Sequence, residues 1–362
     1  MNMKALQHQQ AQDRVQAHME SLCAQVREAR ANRTPLAIRG GGSKPFHGRS
    51  VEGETLDVTG HCGIVHYDPV ELVVTVRAGT RLAELEDALA AHGQMLPCEP
   101  PSFDAPATVG GMVACGLSGP RRPWAGAVRD FVLGTRVLTG DGKVLRFGGE
   151  VMKNVAGFDV SRLMVGAQGT LGVLLEVSMK VLPRPGARAS LRLEMPPAVA
   201  LERLAAWGRE PLPLSAACHD GTCLRLRLEG GEGSVAQTAQ RLGGERDDDG
   251  YWTALNNHRL AFFDDPRPLW RLSLPANTPL LELDGDWLLD WGGMQRWLKS
   301  ERHAEEIRAV AQAIGGHASC LTPGASEPFT PLTPTLALYH RRLKAQLDPA
   351  GIFNPGRLYA EL

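Results

Sequence analysis

A chain of 362 residues with 43% apolar and 22% charged residues can bury a large core and is long enough for about two domains. Its formal net charge of −1 leaves no electrostatic footprint for nucleic acid. No apolar run reaches the length of a membrane-spanning helix, and the opening Met1-Asn-Met-Lys-Ala-Leu-Gln lacks the apolar stretch of a secretory signal, so a cytoplasmic chain without a transmembrane segment is expected.

Val15, Met19, Leu22 and Val26 recur at helical spacing and predict an amphipathic helix over about 10–31, ended by Thr34-Pro35. Leu36–Arg39 reads as a short strand entering Gly40-Gly41-Gly42. Strands follow near Gly63–Tyr67 and Leu72–Arg77, the second alternating between Leu72, Val74, Val76 and Val73, Thr75, Arg77. Thr80 is the expected N-cap of a helix carrying Leu82, Leu85 and Leu89, with Gly93 as its stop. A proline-rich loop, Pro97 to Pro106, leads into Thr108-Val-Gly-Gly111. A hairpin is expected to turn at Asp141-Gly142 between Phe131–Thr139 and Lys143–Phe147, followed by a short helix over 158–165. Val173–Val181 alternates as a strand with one core face and closes at Pro183-Arg-Pro185.

After Pro185 the character changes. Residues 188–300 carry most of the tryptophans and strand-like runs at Leu224–Leu228, Leu280–Leu283 and Trp287–Trp291. Trp287–Trp291 reads more simply as buried strand than as an anchor for a partner chain. A last helix puts Leu336, Tyr339, Leu343 and Leu347 on one face and runs to Asp348-Pro-Ala-Gly-Ile-Phe-Asn-Pro-Gly-Arg357. The seven cysteines are scattered. Only Cys218 and Cys223 lie close, and no second pair completes four ligands, so reduced thiols and no metal are expected. Any iron–sulfur cluster is expected on another chain.

Three glycine clusters, at 40–42, 108–116 and 166–172, each adjoin an apolar run. Glycine bares backbone N–H groups and lets an anion or a flat ring approach, so three such patches point to one long phosphorylated cofactor. The first is not a dinucleotide fingerprint of the Rossmann kind, because Ser43-Lys44-Pro45 has no helical continuation. Each cluster also has a plainer reading: a turn between strands, a glycine-rich helix packed on a sheet, and a β-bulge.

In order and spacing, Arg39-Gly-Gly-Gly-Ser43, Thr108-Val-Gly-Gly111 and Gly169-Thr-Leu-Gly-Val173 resemble the FAD-binding domain of the vanillyl-alcohol oxidase/p-cresol methylhydroxylase (PCMH) type, strongly over 35–185 and again at the closing Asp348–Arg357 segment. The resemblance implies an α+β fold: a two-lobed FAD-binding domain over 10–185, a smaller α+β cap domain over 186–330, and a terminal segment over 331–362 that packs back on the first domain. It implies non-covalent FAD held by Arg39, Gly40, Gly41, Gly42, Ser43 and Lys44 at the pyrophosphate. Ser102, Thr108, Gly110 and Gly111 would lie along the flavin and its linker, Cys115, Gly116 and Ser118 further on, and Gln168, Gly169, Thr170, Gly172 and Val173 would close over it. Ser43 stands where covalently flavinylated members carry histidine, and His47 is expected at the surface or behind the site.

Val151-Met-Lys-Asn-Val-Ala-Gly-Phe-Asp159, Trp287–Trp297, Gly315-Gly-His-Ala318 and Phe353-Asn-Pro-Gly-Arg-Leu-Tyr359 resemble, nearly end to end, the E-type FAD-binding subunits of glycolate oxidases. That resemblance implies a share in oxidising glycolate, or a related 2-hydroxy acid, to glyoxylate. The implied partners are a larger D-type flavin subunit and an F-type iron–sulfur subunit, which would place the chain at the inner face of the cytoplasmic membrane through them. The histidine-rich run of the catalytic flavoproteins related to the D-type partner is missing. His317 remains as a candidate base, and Arg296 and Arg357 as candidate carboxylate holders, each with a structural or interface role as the plainer reading. Two alternatives stay open: a self-sufficient D-2-hydroxy acid dehydrogenase, and a scaffold subunit that binds FAD without reacting.

Overall fold

The computed structural model describes residues 3–149 and 158–362. Val151–Gly157 of the expected motif lies outside them. The amphipathic opening becomes α1 (Met3–Asn32), which buries Leu22, Cys23, Val26 and Ala29. It packs on a parallel pair, β1 (Leu36–Arg39) and β2 (Glu54–Asp57).

A second lobe is an antiparallel sheet built from β3 (Ile64–Asp68), β4 (Val73–Arg77), then, past the helices α2 (Leu82–Ala90) and α3 (Val109–Cys115), β5 (Val132–Leu138), β6 (Val144–Gly148), the short α4 (Val160–Leu163) and β7 (Val173–Lys180). Its strand order is β3-β4-β7-β5-β6. The Asp141-Gly142 hairpin forms as expected, pairing Thr135 with Phe147 and Leu138 with Val144.

Two expectations change. Val73 and Thr75 are buried along with Val74 and Val76, and β7 buries Val173 and Leu175 against α1 and β1–β2 while Val177 and Met179 join the core under α2 and α3. These central strands are covered on both faces, so strict alternation does not mark a solvent side. Thr80 is not the cap of α2. Arg81 holds that position without a side-chain capping bond, and the Thr80 hydroxyl is instead the acceptor for the Gly63 amide at 2.8 Å.

Apart from a short antiparallel pair, Gln94–Met95 with Leu182–Pro183, the remaining strands form one eight-stranded antiparallel sheet. Its elements are β8 (Ala187–Glu194), α5 (Pro197–Trp207), β9 (Leu214–His219), β10 (Cys223–Gly230), α6 (Glu232–Leu242), α7 (Gly250–Asn256), β11 (Leu269–Ser273), β12 (Asp286–Asp290), β13 (Gln295–Lys299), α8 (Ala304–Ala313) and β14 (His317–Cys320). A two-residue strand, Glu245–Arg246, edges β8, and the order continues β10-β9-β12-β13-β11-β14. Leu280–Leu283, expected as strand, is loop. The helices α5, α6 and α8 cover one face. The other face, with Leu269, Leu288 and Trp297, packs on α7 and on Phe46 from the glycine-loop lobe. Trp252, Trp270, Trp291 and Trp297 are buried, as core residues rather than anchors.

Helix α9 (Pro334–Leu347), N-capped by Thr333, returns the chain to the first lobe. Of its expected apolar face, Leu347 packs on the core of the second lobe, while Leu336, Tyr339 and Leu343 are exposed.

Candidate cofactor site

The glycine loop leaves β1 where the parallel pair ends. A Cβ on Gly41 would sit 1.6 Å from the Pro106 carbonyl oxygen, so this glycine is demanded first by the protein's own backbone. The loop is thereby pressed against the segment that starts α3. Among the described residues, the amides of Gly41, Gly42, Ser43 and Lys44 donate to no protein acceptor. Unpaired N–H donors grouped in one loop suit an anion with several oxygens.

The second cluster is the glycine-rich helix of the plainer reading, and it also lines the cavity. Thr108 caps α3, its hydroxyl taking the Gly111 N–H at 3.2 Å. Gly110 packs on Ala78, where a Cβ would meet that methyl at 2.7 Å. A Cβ on Gly111 would touch only the Thr108 hydroxyl, at 3.1 Å, and otherwise point into open space. The third cluster carries Gln168 and Gly169 through positive φ before β7 begins.

The C-terminal segment ties these loops together. Asn354 accepts the Ile38 N–H at 2.8 Å, and its amide donates to the Gln168 carbonyl at 2.7 Å, joining β1 to the third cluster. Arg357 donates to the carbonyls of His47 at 2.6 Å and Lys44 at 3.3 Å, to that of Arg49, and to Gln168 Oε1 at 3.0 Å. Lys344 donates to the Thr170 and Phe353 carbonyls and to the Asp348 carboxylate, which also accepts the Ile352 and Phe353 amides.

Between the two lobes lies a cavity of about 290 Å³. It is lined by Arg39, Gly40, Gly41, Gly42, Ser43 and Lys44 from the first loop. Thr108, Gly110, Gly111 and Cys115 line it from α3, and Gln168, Gly169, Gly172 and Val173 from the third cluster. Four expected residues lie elsewhere. Ser102 opens on a different cleft, with its amide and hydroxyl turned to Asn257 Oδ1. Ser118 accepts the Val128 amide. Gly116 is the left-handed C-cap of α3, and Thr170 donates its hydroxyl to the Ala167 carbonyl. Ala37, Ile38, Ser50, Val58, Ala78 and Asn354 line the cavity without having been expected there. Only Asn354 carried a signal, as the amide side chain of the closing motif.

Burial sets the electrostatics. It lowers the Lys44 ammonium below its usual range, with Cys115 opposing, and raises the Cys115 thiol, with Lys44 and then Arg357 opposing. Cys115 is therefore a small wall residue rather than a nucleophile. His47 is buried, not at the surface. Burial first, then the charges of Arg271, Arg357 and Lys44, bring its pKa to about 3.

Of the three candidate catalytic residues, Arg357 lines the cavity and the other two stand outside it. Arg296 is buried and spends its guanidinium on the carbonyls of Gly293, Pro279 and Thr278. Arg357 is the clamp described above. His317 is exposed at the start of edge strand β14.

An unpaired amide loop for a diphosphate, an open glycine wall and a lid held by Asn354 and Arg357 fit FAD. A family model described as an FAD binding domain matches residues 15–148. The solved structure of 4-ethylphenol oxidase from Gulosibacter chungangensis has the same fold, with a TM-score of 0.68 over 95% of this chain and 88% of that one at 15% identity. Fold, cavity and family model thus define an FAD-binding protein of the PCMH type.

Glycolate oxidase subunit GlcE of Escherichia coli (strain K12) is 56% identical over 345 residues, 95% of this chain and 98% of that protein. Glycolate oxidase subunit GlcD of Bacillus subtilis (strain 168) is 33% identical over 162 residues, 44% of this chain and 34% of that protein. The chain belongs to the GlcE family of glycolate oxidase subunits.

Proposed function

We propose that this chain is the FAD-binding subunit of a glycolate oxidase, with its cofactor in the cavity between the two lobes and its own share in oxidising glycolate to glyoxylate. The observation that carries the reading is the meeting of three glycine clusters, distant in sequence, around one cavity whose first loop keeps its amides free. In this assignment the Gly41–Lys44 amides hold the pyrophosphate, Gly110 and Gly111 admit the flavin and its linker, and Gln168 to Val173 cover it. FAD supplies hydride and electron acceptance when bound. The chain's residues orient it and exclude water: Arg357 and Asn354 fix the two loops on either side, and the neutral His47 closes the Cys115 end.

The extended division is two FAD-binding lobes over 10–185, a cap over 186–330 and a returning segment over 331–362. The proposed partners are a D-type flavin subunit and an F-type iron–sulfur subunit. They would receive the electrons and bring the chain to the inner face of the cytoplasmic membrane. No helix among the described residues is long and apolar enough to cross a membrane. Among the described residues no group of three or more histidine, cysteine or acidic side chains is placed to hold a metal ion.

The test is co-purification of the chain with its neighbouring subunits, flavin counting, and anaerobic addition of glycolate. The reading expects FAD on this chain and its bleaching by glycolate in the intact complex. A complex that turns over while this flavin stays oxidised would reduce the chain to a scaffold.

A further inference from the structure

Strand β11 turns Trp270 and Leu272 into the core under α8, which leaves Arg271 on the opposite face, toward the first lobe. Arg271 lies across from Trp297 on β13 and from Ser319 on β14, and the next pair on that face joins Ser273 to His317. Its Nε is sealed from solvent and has no hydrogen-bond partner. Other arginines of this sheet are matched: Arg227 by Glu99 and Glu229, Arg225 by Asp220 and Asp247, Arg296 by backbone carbonyls.

No ion pair to Arg271 forms among the described residues, and Asp290, the acid that lines the same small pocket, has its carboxyl raised by burial to about 7. Arg122, which lies 4.3 Å over the Trp291 ring, adds to burial in lowering Arg271 to about 10. Burial and then Arg271 lower His47 and His258 to about 3 each, and lower His317 as well. Three imidazoles, each from a different segment of the chain, therefore feel one guanidinium, and His258 lines the same small pocket with it. His258 is held in place by stacking on Phe263 at 4.1 Å and by the edge of Trp297 at 4.7 Å. His47 bonds to the backbone of Cys115, which lines the FAD cavity, so this cluster adjoins that cavity. His317 keeps its contact with solvent and leaves a way in.

A sealed guanidinium nitrogen without a partner is costly, and a carboxylate entering beside it with bidentate geometry removes that cost. We propose that Arg271, flanked by His47, His258 and His317, binds the carboxylate of a small 2-hydroxycarboxylate at the seam between the eight-stranded sheet and the FAD cavity. This rests on the flavoprotein reading and extends it: substrate is held by this chain and not only by a partner.

The test uses the full-length chain loaded with FAD and titrated with oxalate, a carboxylate that cannot undergo the alcohol oxidation. Calorimetry reads binding, and the flavin absorbance reads proximity to the cofactor. The expected result is saturable binding that perturbs the flavin spectrum, weakened at least tenfold in Arg271→Met and less in Arg271→Lys, with FAD content unchanged in both. Oxalate binding in Arg271→Met equal to the parent overturns the proposal, as does an oxalate-silent chain within a complex that binds oxalate elsewhere. Loss of FAD together with oxalate in the folded variants would assign Arg271 to the cofactor instead and also overturn it. A parent chain that takes up no FAD defeats the flavoprotein reading separately, because oxalate binding to the apo chain remains measurable by calorimetry. Should Arg271→Met fail to fold, Arg271→Lys and His317→Ala decide the matter by the same readouts.

Discussion

Asp290, the last residue of β12, is buried with its carboxylate accepting the Trp291 amide at 2.7 Å and the Gln295 side-chain amide at 2.9 Å. Burial outweighs both bonds and raises its pKa from 3.8 to about 7. The folded state thus binds this proton more tightly than the unfolded chain does. Its stabilising effect is complete below the unfolded value and is lost as pH rises toward about 7. Asp290→Asn cannot ionise, so its advantage over the parent should grow with pH across that window and level off above it, reaching as much as about 4 kcal/mol at pH 8. Thermal melts of both proteins from pH 4 to pH 8 check this, and a pH-independent difference would contradict it. None of this was legible in the sequence, where Asp290 is one acidic residue in an apolar strand. The surroundings of Arg296 and His317 were illegible for the same reason. Their chemistry depends on partners set by strand register, and Arg271 gained its unusual isolation only once β11 had lined it up with β13 and β14.

At the scale of elements, the glycine clusters and their flanking strands were readable because glycine marks close approach wherever it occurs. The reason was only partly foreseen: Gly41 yields to the Pro106 carbonyl before it yields to any ligand. The strands β4 and β7 were placed correctly, but their two-sided burial depends on what the rest of the chain packs against them. The C-terminal motif was recognisable as a closing segment, while its clasp of backbone carbonyls by Arg357 was not. A lysine has neither the fork nor the number of donors to replace those bonds. Arg357→Lys should therefore lose about 2–4 kcal/mol of stability and hold FAD less tightly. Urea unfolding with flavin release followed in parallel measures both. Unchanged unfolding would show that the clasp contributes little.

Across the whole molecule, two lobes and the eight-stranded antiparallel sheet meet through charges as well as apolar contact. Glu99 and Arg121 of the second lobe join Arg227, Glu229 and Arg188 of the eight-stranded sheet, with Arg227 to Glu99 at 2.9 Å and Arg188 to Glu229 at 2.6 Å. Burial alone would raise the Glu229 carboxyl, yet Arg227 and Arg121 bring it below its ordinary value. This joint was invisible in the sequence because its members lie some hundred residues apart. The fold class was legible, since motif order reports the chain path even where contacts cannot be read. The central claim is that the glycine-lined cavity holds FAD, and Gly111 gives the cleanest access to it. A leucine there extends into open cavity and removes a helical glycine, so the fold should persist. FAD titration of the purified chain, followed by fluorescence quenching with circular dichroism as the control for folding, should show saturable uptake by the parent and none by Gly111→Leu. Equal uptake by the two, or none by the parent, would contradict the account.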